Sequence, residues 1–291
     1  MHWSDPELLD RLDRHRSLQG LWIVLVNPFS RFHKTSNRYL DRDLQKDQAE
    51  ILVLMEEAAI ALFSALPDHF VMFGGATLVL FHESPRISKD LDLLARVDRL
   101  PMAQELVGAL ETRLQEVAGA LGLGPVAFEP ETEGEHFVRL WTVGPARQKL
   151  FTVDLTRIGG SVLLREIVNE KIEEEGKIAL IPAASRDYLL LQKAESFMSR
   201  RVVKARDAFD IRLLLLRGAK LDSALKGHLE DALKWREVSR EEINERIEKV
   251  DRRLCRAELK PVLPDEVYTE LERDDFEILR AALRSVFAEW L

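Results

Sequence analysis

The sequence predicts an α+β (α/β) fold, a mixed β-sheet flanked by helices and followed by a C-terminal helical domain. Three observations carry this expectation. Apolar residues at helical spacing bracket two short apolar runs between residues 46 and 121. Three short, partly alternating stretches punctuated by Gly and Pro follow between 126 and 155. From residue 161 the pattern is mostly helical. The chain divides accordingly into an N-terminal helical or irregular extension (1–45), a sheet-bearing domain (46–160) and a helical domain (161–291).

In order, residues 5–18 read as a short amphipathic helix, with Asp5-Pro6 as cap and first turn. The run at 21–26 suits a strand or a buried helical turn. The stretch 46–66 places Ile51, Leu54, Met55, Ala58, Ala59 and Leu62 on one helical face. Residues 98–121 do the same with Leu100, Leu106, Leu110, Leu114 and Val117, until GLGP breaks the helix. Strands are expected near 126–128, 136–143 and 149–155. The segment 164–182, LREIVNEKIEEEGKIALIP, reads as a linker between lobes. Ser185 opens a helix over 185–200, and Gly218 ends a second over 201–218. Residues 222–258 and 264–289 read as two or three further amphipathic helices.

Composition narrows the function classes. Hydrophobic residues make up 46% and charged residues 32% of the 291, which describes a globular chain rather than a disordered one. A single cysteine, Cys255, excludes an internal disulfide and is compatible with a reducing cytosol. The charged N-terminus has no signal-peptide core, and the run at 21–26 is too short to span a bilayer. A cytoplasmic protein without a membrane partner is therefore expected. The net charge of −8 argues against a generic nucleic-acid coat protein. Residues 186–220 nevertheless hold nine Arg or Lys against four Asp or Glu, a basic island suited to triphosphate or RNA.

The chemistry concentrates in HFVMFGGATLVLFHESPRISKDLDLL, residues 69–94. An apolar run ends in Gly74-Gly75, a helical segment follows, and a loop carries Arg86 and Ser88. A second apolar run holds Asp90 and Asp92. Positions i and i+2 of a strand share a face, so the two carboxylates project together while Leu91 and Leu93 enter the core. Such a pair is costly to keep charged without a cation, and suits a hard ion such as Mg²⁺ that also takes substrate phosphates. Gly74 and Gly75 let backbone approach a ligand, and a helix starting there aims free N–H groups at an anion. Arg86 and Ser88 add a guanidinium and a hydroxyl for phosphate oxygens. Taken singly, each feature has a plainer explanation as a turn, a cap or a surface group. Their order in an apolar setting does not. Asp154 lies in another apolar run, KLFTVDL, where a lone acid needs a partner.

GGATL at 74–78 followed by RISKDLDL at 86–93 resembles the AbiEii-type (abortive-infection) nucleotidyltransferase toxins, within the DNA polymerase β-like nucleotidyltransferase superfamily. The long spacing from Gly75 to Asp90 fits the toxin branch, in which Arg-x-Ser-x-Asp fills the loop before the strand. The resemblance implies a nucleotidyltransferase-like sheet and transfer of a nucleotide from an NTP. It implies a divalent metal, Mg²⁺ or Mn²⁺, held by Asp90 and Asp92, with Asp154 as third ligand or base. It gives Lys193 a phosphate-binding and catalytic role beside Gly74, Gly75, Arg86 and Ser88. It gives Asp210, or else Asp207, a polar role facing the nucleotide. The alternative for Asp210 is an i,i+4 pair with Arg206 that stabilises the helix by a few tenths of a kcal/mol, roughly. The resemblance further implies a tRNA 3′ end as acceptor and a separately encoded antitoxin as partner. Two rivals stay open: a small-molecule, antibiotic-type nucleotidyltransferase and a non-catalytic nucleotide-binding module. No P-loop, zinc spacing, nucleophile elbow or internal repeat is present.

Overall fold

The computed structural model describes residues 46–96, 99–157, 165–174 and 177–290. The expectations for residues 1–45 lie outside that set. Helix α1 (Lys46–Ala65) leads into β1 (Phe70–Phe73), α2 (Gly74–Phe81), β2 (Asp90–Ala95) and α3 (Ala103–Leu121). Five strands follow: β3 (Ala127–Glu133), β4 (Phe137–Val143), β5 (Lys149–Arg157), β6 (Ile167–Glu174) and β7 (Lys177–Ala184). Helices α4 (Arg186–Ser199) and α5 (Ala205–Leu216) come next, then α6 (Ser223–Trp235), α7 (Arg240–Glu248), α8 (Arg252–Glu258), α9 (Asp265–Arg273) and α10 (Glu277–Val286). The C-terminal stretch thus breaks into five short helices where two or three were expected. Side chains that accept backbone N–H bonds start three of them: Asp222, Ser239 and Asp251.

The strands form one mixed sheet in the order β3-β4-β5-β2-β1-β7-β6. β2 runs parallel to β5 and antiparallel to β1, while β1 runs parallel to β7. The segment read as a linker is in fact the β6–β7 hairpin, paired from Ile167↔Ala184 to Glu174↔Lys177. Its apolar residues Ile172, Ile181 and Ala183 enter the core, which the surrounding charges obscure in the sequence.

Two hydrophobic clusters lie on opposite faces of the sheet. On one face α1 and α3 cover Met72, Leu91, Leu93, Leu140, Val153 and Leu155. The expected faces of both helices are the buried ones, with Leu62, Leu106, Leu110 and Leu114 fully enclosed. On the other face Val71 and Leu94 join the cluster formed by the C-terminal helices. That second face also carries the polar residues of β2 and β5. Among the described residues, no helix is long and apolar enough to cross a membrane.

Candidate active site

Register brings the acids together. β2 pairs with β5 so that Asp90 lies across from Thr152 and Asp92 across from Asp154. β1 places Phe73 beside Asp92, and β4 places Arg139 beside Asp154. One row across the sheet therefore reads Phe73, Asp92, Asp154, Arg139. The next reads Asp90, Thr152, Trp141. The residues between the acids, Leu91 and Leu93, are fully buried on the other face, as the two-residue period requires.

The glycine turn sits against this row. Gly74 has φ +73°, a backbone conformation that L side chains rarely adopt, and a Cβ there would lie 2.1 Å from Asp92 Oδ2. A Cβ on Gly75 would lie 2.6 Å from Ser88 Oγ and 2.9 Å from Arg86 Nη2. Two side chains of any size would push the start of α2 away from Asp92, Ser88 and Arg86. Phe73, the residue before α2, offers no side-chain cap, and the Gly75 N–H is directed at the Asp92 carboxylate instead.

Asp92 carries the most perturbed carboxyl of the row. Burial, then repulsion from Asp90 and, less strongly, Asp154, pushes its pKa up to about 7 against the pull of Lys193 and the Gly75 N–H. Asp90 is held differently: Thr152 Oγ1 donates to Asp90 Oδ1 at 3.0 Å. Asp154 is buried and held by Arg139, whose Nε donates to Oδ1 at 2.8 Å and whose Nη2 donates to Oδ2.

Behind the glycine turn lies a second ionic group. Asp210, on α5, is 0% exposed and accepts from Arg86 Nε at 2.8 Å and Nη2 at 2.9 Å. Lys193 Nζ, on α4, reaches Asp210 Oδ2 at 2.7 Å. Burial alone would raise the Asp210 carboxyl, but the two cations outweigh it and hold it below the usual range. Asp207, one turn earlier, is also fully buried. Its Oδ2 accepts from Arg200 Nε at 2.9 Å, and its Oδ1 has no hydrogen-bond partner among the described residues. Burial raises the Asp207 carboxyl against the pull of Lys193 and Arg200. The structure thus sets Gly75, Ser88 and Arg86 in contact and ties Lys193 to them through Asp210. It leaves neither Asp207 nor Asp210 a solvent-facing edge.

Beside Ser88 and Asp90 opens a cavity of about 470 Å³. Arg86, Lys89, Lys204 and Arg206 line it, with Glu258, which pairs with Lys204 at 2.8 Å. Here the basic island meets Asp90.

Among the described residues, no three His, Cys, Asp or Glu side chains stand ready to hold a metal ion. Arg139 engages both oxygens of Asp154. The donor pair that remains, Asp90 and Asp92 on one strand face, fits a hard divalent ion whose shell substrate phosphates complete. The raised Asp92 carboxyl is the group that such a charge would relieve.

Two further residues touch the acids, Arg139 on Asp154 and Thr152 on Asp90, and neither stands out in the sequence. Arg139 occupies the polar parity of HFVRLWTV, a signal that was present, but its partner is fixed only by strand register.

Comparison with known proteins is consistent with this geometry. The family described as nucleotidyl transferase AbiEii toxin, type IV toxin–antitoxin system, matches residues 58–287. No curated protein matches the chain. A solved putative nucleotidyltransferase from H. pylori is similar with a TM-score of 0.50 and 15% identity, covering 85% of this chain and 97% of that one. At this identity the likeness shows the fold. The nucleotidyltransferase toxin MenT4 from Mycobacterium tuberculosis gives a TM-score of 0.42 and 17% identity over 67% of this chain and 66% of that one.

Proposed function

Since the chain belongs to the AbiEii family of nucleotidyltransferase toxins, we propose that it transfers a nucleotidyl group from an NTP to the 3′-terminal hydroxyl of a tRNA. The enzyme class and the NTP substrate follow from the family, as does an antitoxin partner. The acceptor, the metal and the residue roles are our reading. The observation that carries it is the Asp92–Asp154 register beside a glycine turn whose Gly74 backbone L side chains rarely adopt.

In this reading the acceptor oxygen attacks the α-phosphorus of the NTP. A phosphorus–oxygen bond forms, the bond to the β-phosphate bridge breaks, and pyrophosphate leaves. Gly74 and Gly75 bring the first N–H groups of α2 to the β- and γ-phosphates, and Ser88 adds a hydroxyl. Lys193 and Arg86 offset the charge that gathers on the leaving group. Asp210 touches no substrate; it positions these two cations. Asp154 faces the acceptor side and receives the hydroxyl proton, with Arg139 orienting it beforehand through two hydrogen bonds.

Asp90 and Asp92 would hold the divalent ion, Mg²⁺ or Mn²⁺, and their side-by-side placement fits that task. When bound, such an ion neutralises the transferring phosphate and its two in-line oxygens.

Incubating the protein with each of four labelled NTPs and total tRNA, total protein or aminoglycosides tests the reading. Label on tRNA that disappears in Asp90→Ala and Asp92→Ala supports it. Label on a small molecule alone would favour the antibiotic-type rival. No transfer from any NTP to any acceptor would favour a binding module.

A further inference from the structure

We propose that the acid-bearing face of β4 is a base-stacking strip for the single-stranded end of the acceptor, with Trp141 and Phe137 as the stacking rings. The proposal rests on the transfer reading above and adds where the acceptor lies.

β4 alternates strictly over its first six residues. Val138, Leu140 and Thr142 are buried on the α1–α3 side, and Phe137, Arg139 and Trp141 are half-buried on the other. That second face is the acid-bearing one, because Arg139 pairs with Asp154 and Trp141 with Thr152. Among the described residues, the C-terminal helical cluster takes side chains from β1, β2 and β7 but none from β4 or β5. Two aromatic rings and an arginine thus lie on a polar sheet face outside that core.

In-line displacement fixes the direction. The entering and leaving oxygens stand on opposite sides of the phosphorus. Gly75, Ser88, Arg86 and Lys193 gather on the β1 side of the acids, so pyrophosphate leaves there. The acceptor then enters from the β5 side, and the next strand is β4. Neighbouring strands are about 4.8 Å apart, which puts the Trp141 backbone roughly 10 Å from Asp90 in the same row. A terminal nucleotide with its hydroxyl at the acids reaches that far with its own base or the preceding one.

The strip is also preorganised. Trp141 Nε1 donates to Glu131 Oε2 at 2.5 Å, which fixes the indole plane. Lys149 Nζ lies 3.9 Å from the Trp141 ring centroid, and Arg139 Cζ lies 5.3 Å from that of Phe137. Lys149 is exposed, and an exposed cation–π contact is weak. Its amine is free to exchange the ring for a backbone phosphate as a base arrives. Unpaired bases of any sequence stack on such rings, and single-stranded ends are recognised this way far more than duplex RNA.

The test measures binding without catalysis. Labelled single-stranded RNA with a free 3′ hydroxyl is titrated with protein in EDTA and followed by anisotropy, beside the same sequence as a duplex. Trp141→Leu and Phe137→Leu should each weaken single-strand binding roughly tenfold or more and leave duplex binding unchanged. In turnover the KM for acceptor should rise while that for NTP stays. An RNA with abasic positions at its 3′ end should lose affinity for the wild-type protein by a similar factor, an arm that needs no variant to fold. Equal affinity for abasic and intact ends, or for folded leucine variants and wild type, overturns the proposal. If transfer to tRNA persists in that case, the functional reading stands without it. If the wild type transfers only to a small molecule or a protein, both fall.

Discussion

Arg86 grips both carboxylate oxygens of Asp210, at 2.8 and 2.9 Å, across 124 residues of sequence. Neither partner is more than 6% exposed at its side chain, and Lys193 joins the same carboxylate. This links the loop before β2 to α4 and α5. Removing one member of a buried ionic group leaves its partners charged and unpaired, at about 3–5 kcal/mol. Asp210 has no exposed surface, and Asp210→Ala is therefore expected to lose that much stability in urea unfolding. A loss below 1 kcal/mol, roughly the scale of an exposed pair, would contradict it.

Gly74→Ala meets two penalties at once. The backbone there has φ +73°, and the new Cβ would stand 2.1 Å from Asp92 Oδ2. The strain costs on the order of 1–3 kcal/mol, and relief comes by moving either the start of α2 or the Asp92 carboxylate from its place. A modest fall in melting temperature with loss of nucleotidyl transfer is expected. An alanine variant with full turnover would show that the turn does not need to approach Asp92.

The Asp92 carboxyl sets a pH dependence. In the folded protein burial and the neighbouring Asp90 push its pKa up to about 7, against about 3.9 in an unfolded chain. Between these values the native state keeps a proton that the unfolded state has released. Stability contributed by this group therefore falls as pH rises through the window, and the penalty is complete above about 7. Asp92→Asn removes the charge. In EDTA its melting temperature should exceed that of wild type most at pH 8 and least at pH 5. Mg²⁺ should raise the wild-type value more at pH 8 than at pH 5. An offset that does not vary with pH would show that Asp92 is not the group responsible.

Much of this was legible locally. The i, i+2 placement of Asp90 and Asp92, with Leu91 and Leu93 inward, needs only the strand period. The buried faces of α1 and α3 need only helical spacing. Ser185 capping α4 through the Tyr188 N–H follows from residue type. What stayed hidden was non-local or masked by charge. The β6–β7 hairpin sets its buried Ile172 and Ile181 among Glu170, Lys171, Glu173, Glu174, Glu175 and Lys177, so its sequence reads as a linker. The Arg139–Asp154 pair depends on which residues of β4 and β5 face each other. Asp210 pairs with Arg86, far away in sequence, rather than with Arg206 one turn before it.

Arg139 offers a further check. It holds Asp154 by two hydrogen bonds while Asp92 waits in the adjacent register position. Arg139→Ala frees that carboxylate and removes a competing cation. Binding of Mn²⁺, followed by its paramagnetic resonance signal, should tighten in the variant while transfer to acceptor slows. Weaker Mn²⁺ binding would mean that Arg139 supports the metal site instead of competing with it.

The central claim is that Asp90 and Asp92, set beside the Gly74-Gly75 turn, carry nucleotidyl transfer. The most direct measurement is transfer of label from α-labelled NTP to total tRNA by wild type and by Asp92→Asn, with melting temperature recorded for both. The account predicts label at the RNA 3′ end for wild type and none for an Asn variant that melts no lower. Undiminished labelling by the folded Asn variant would contradict it.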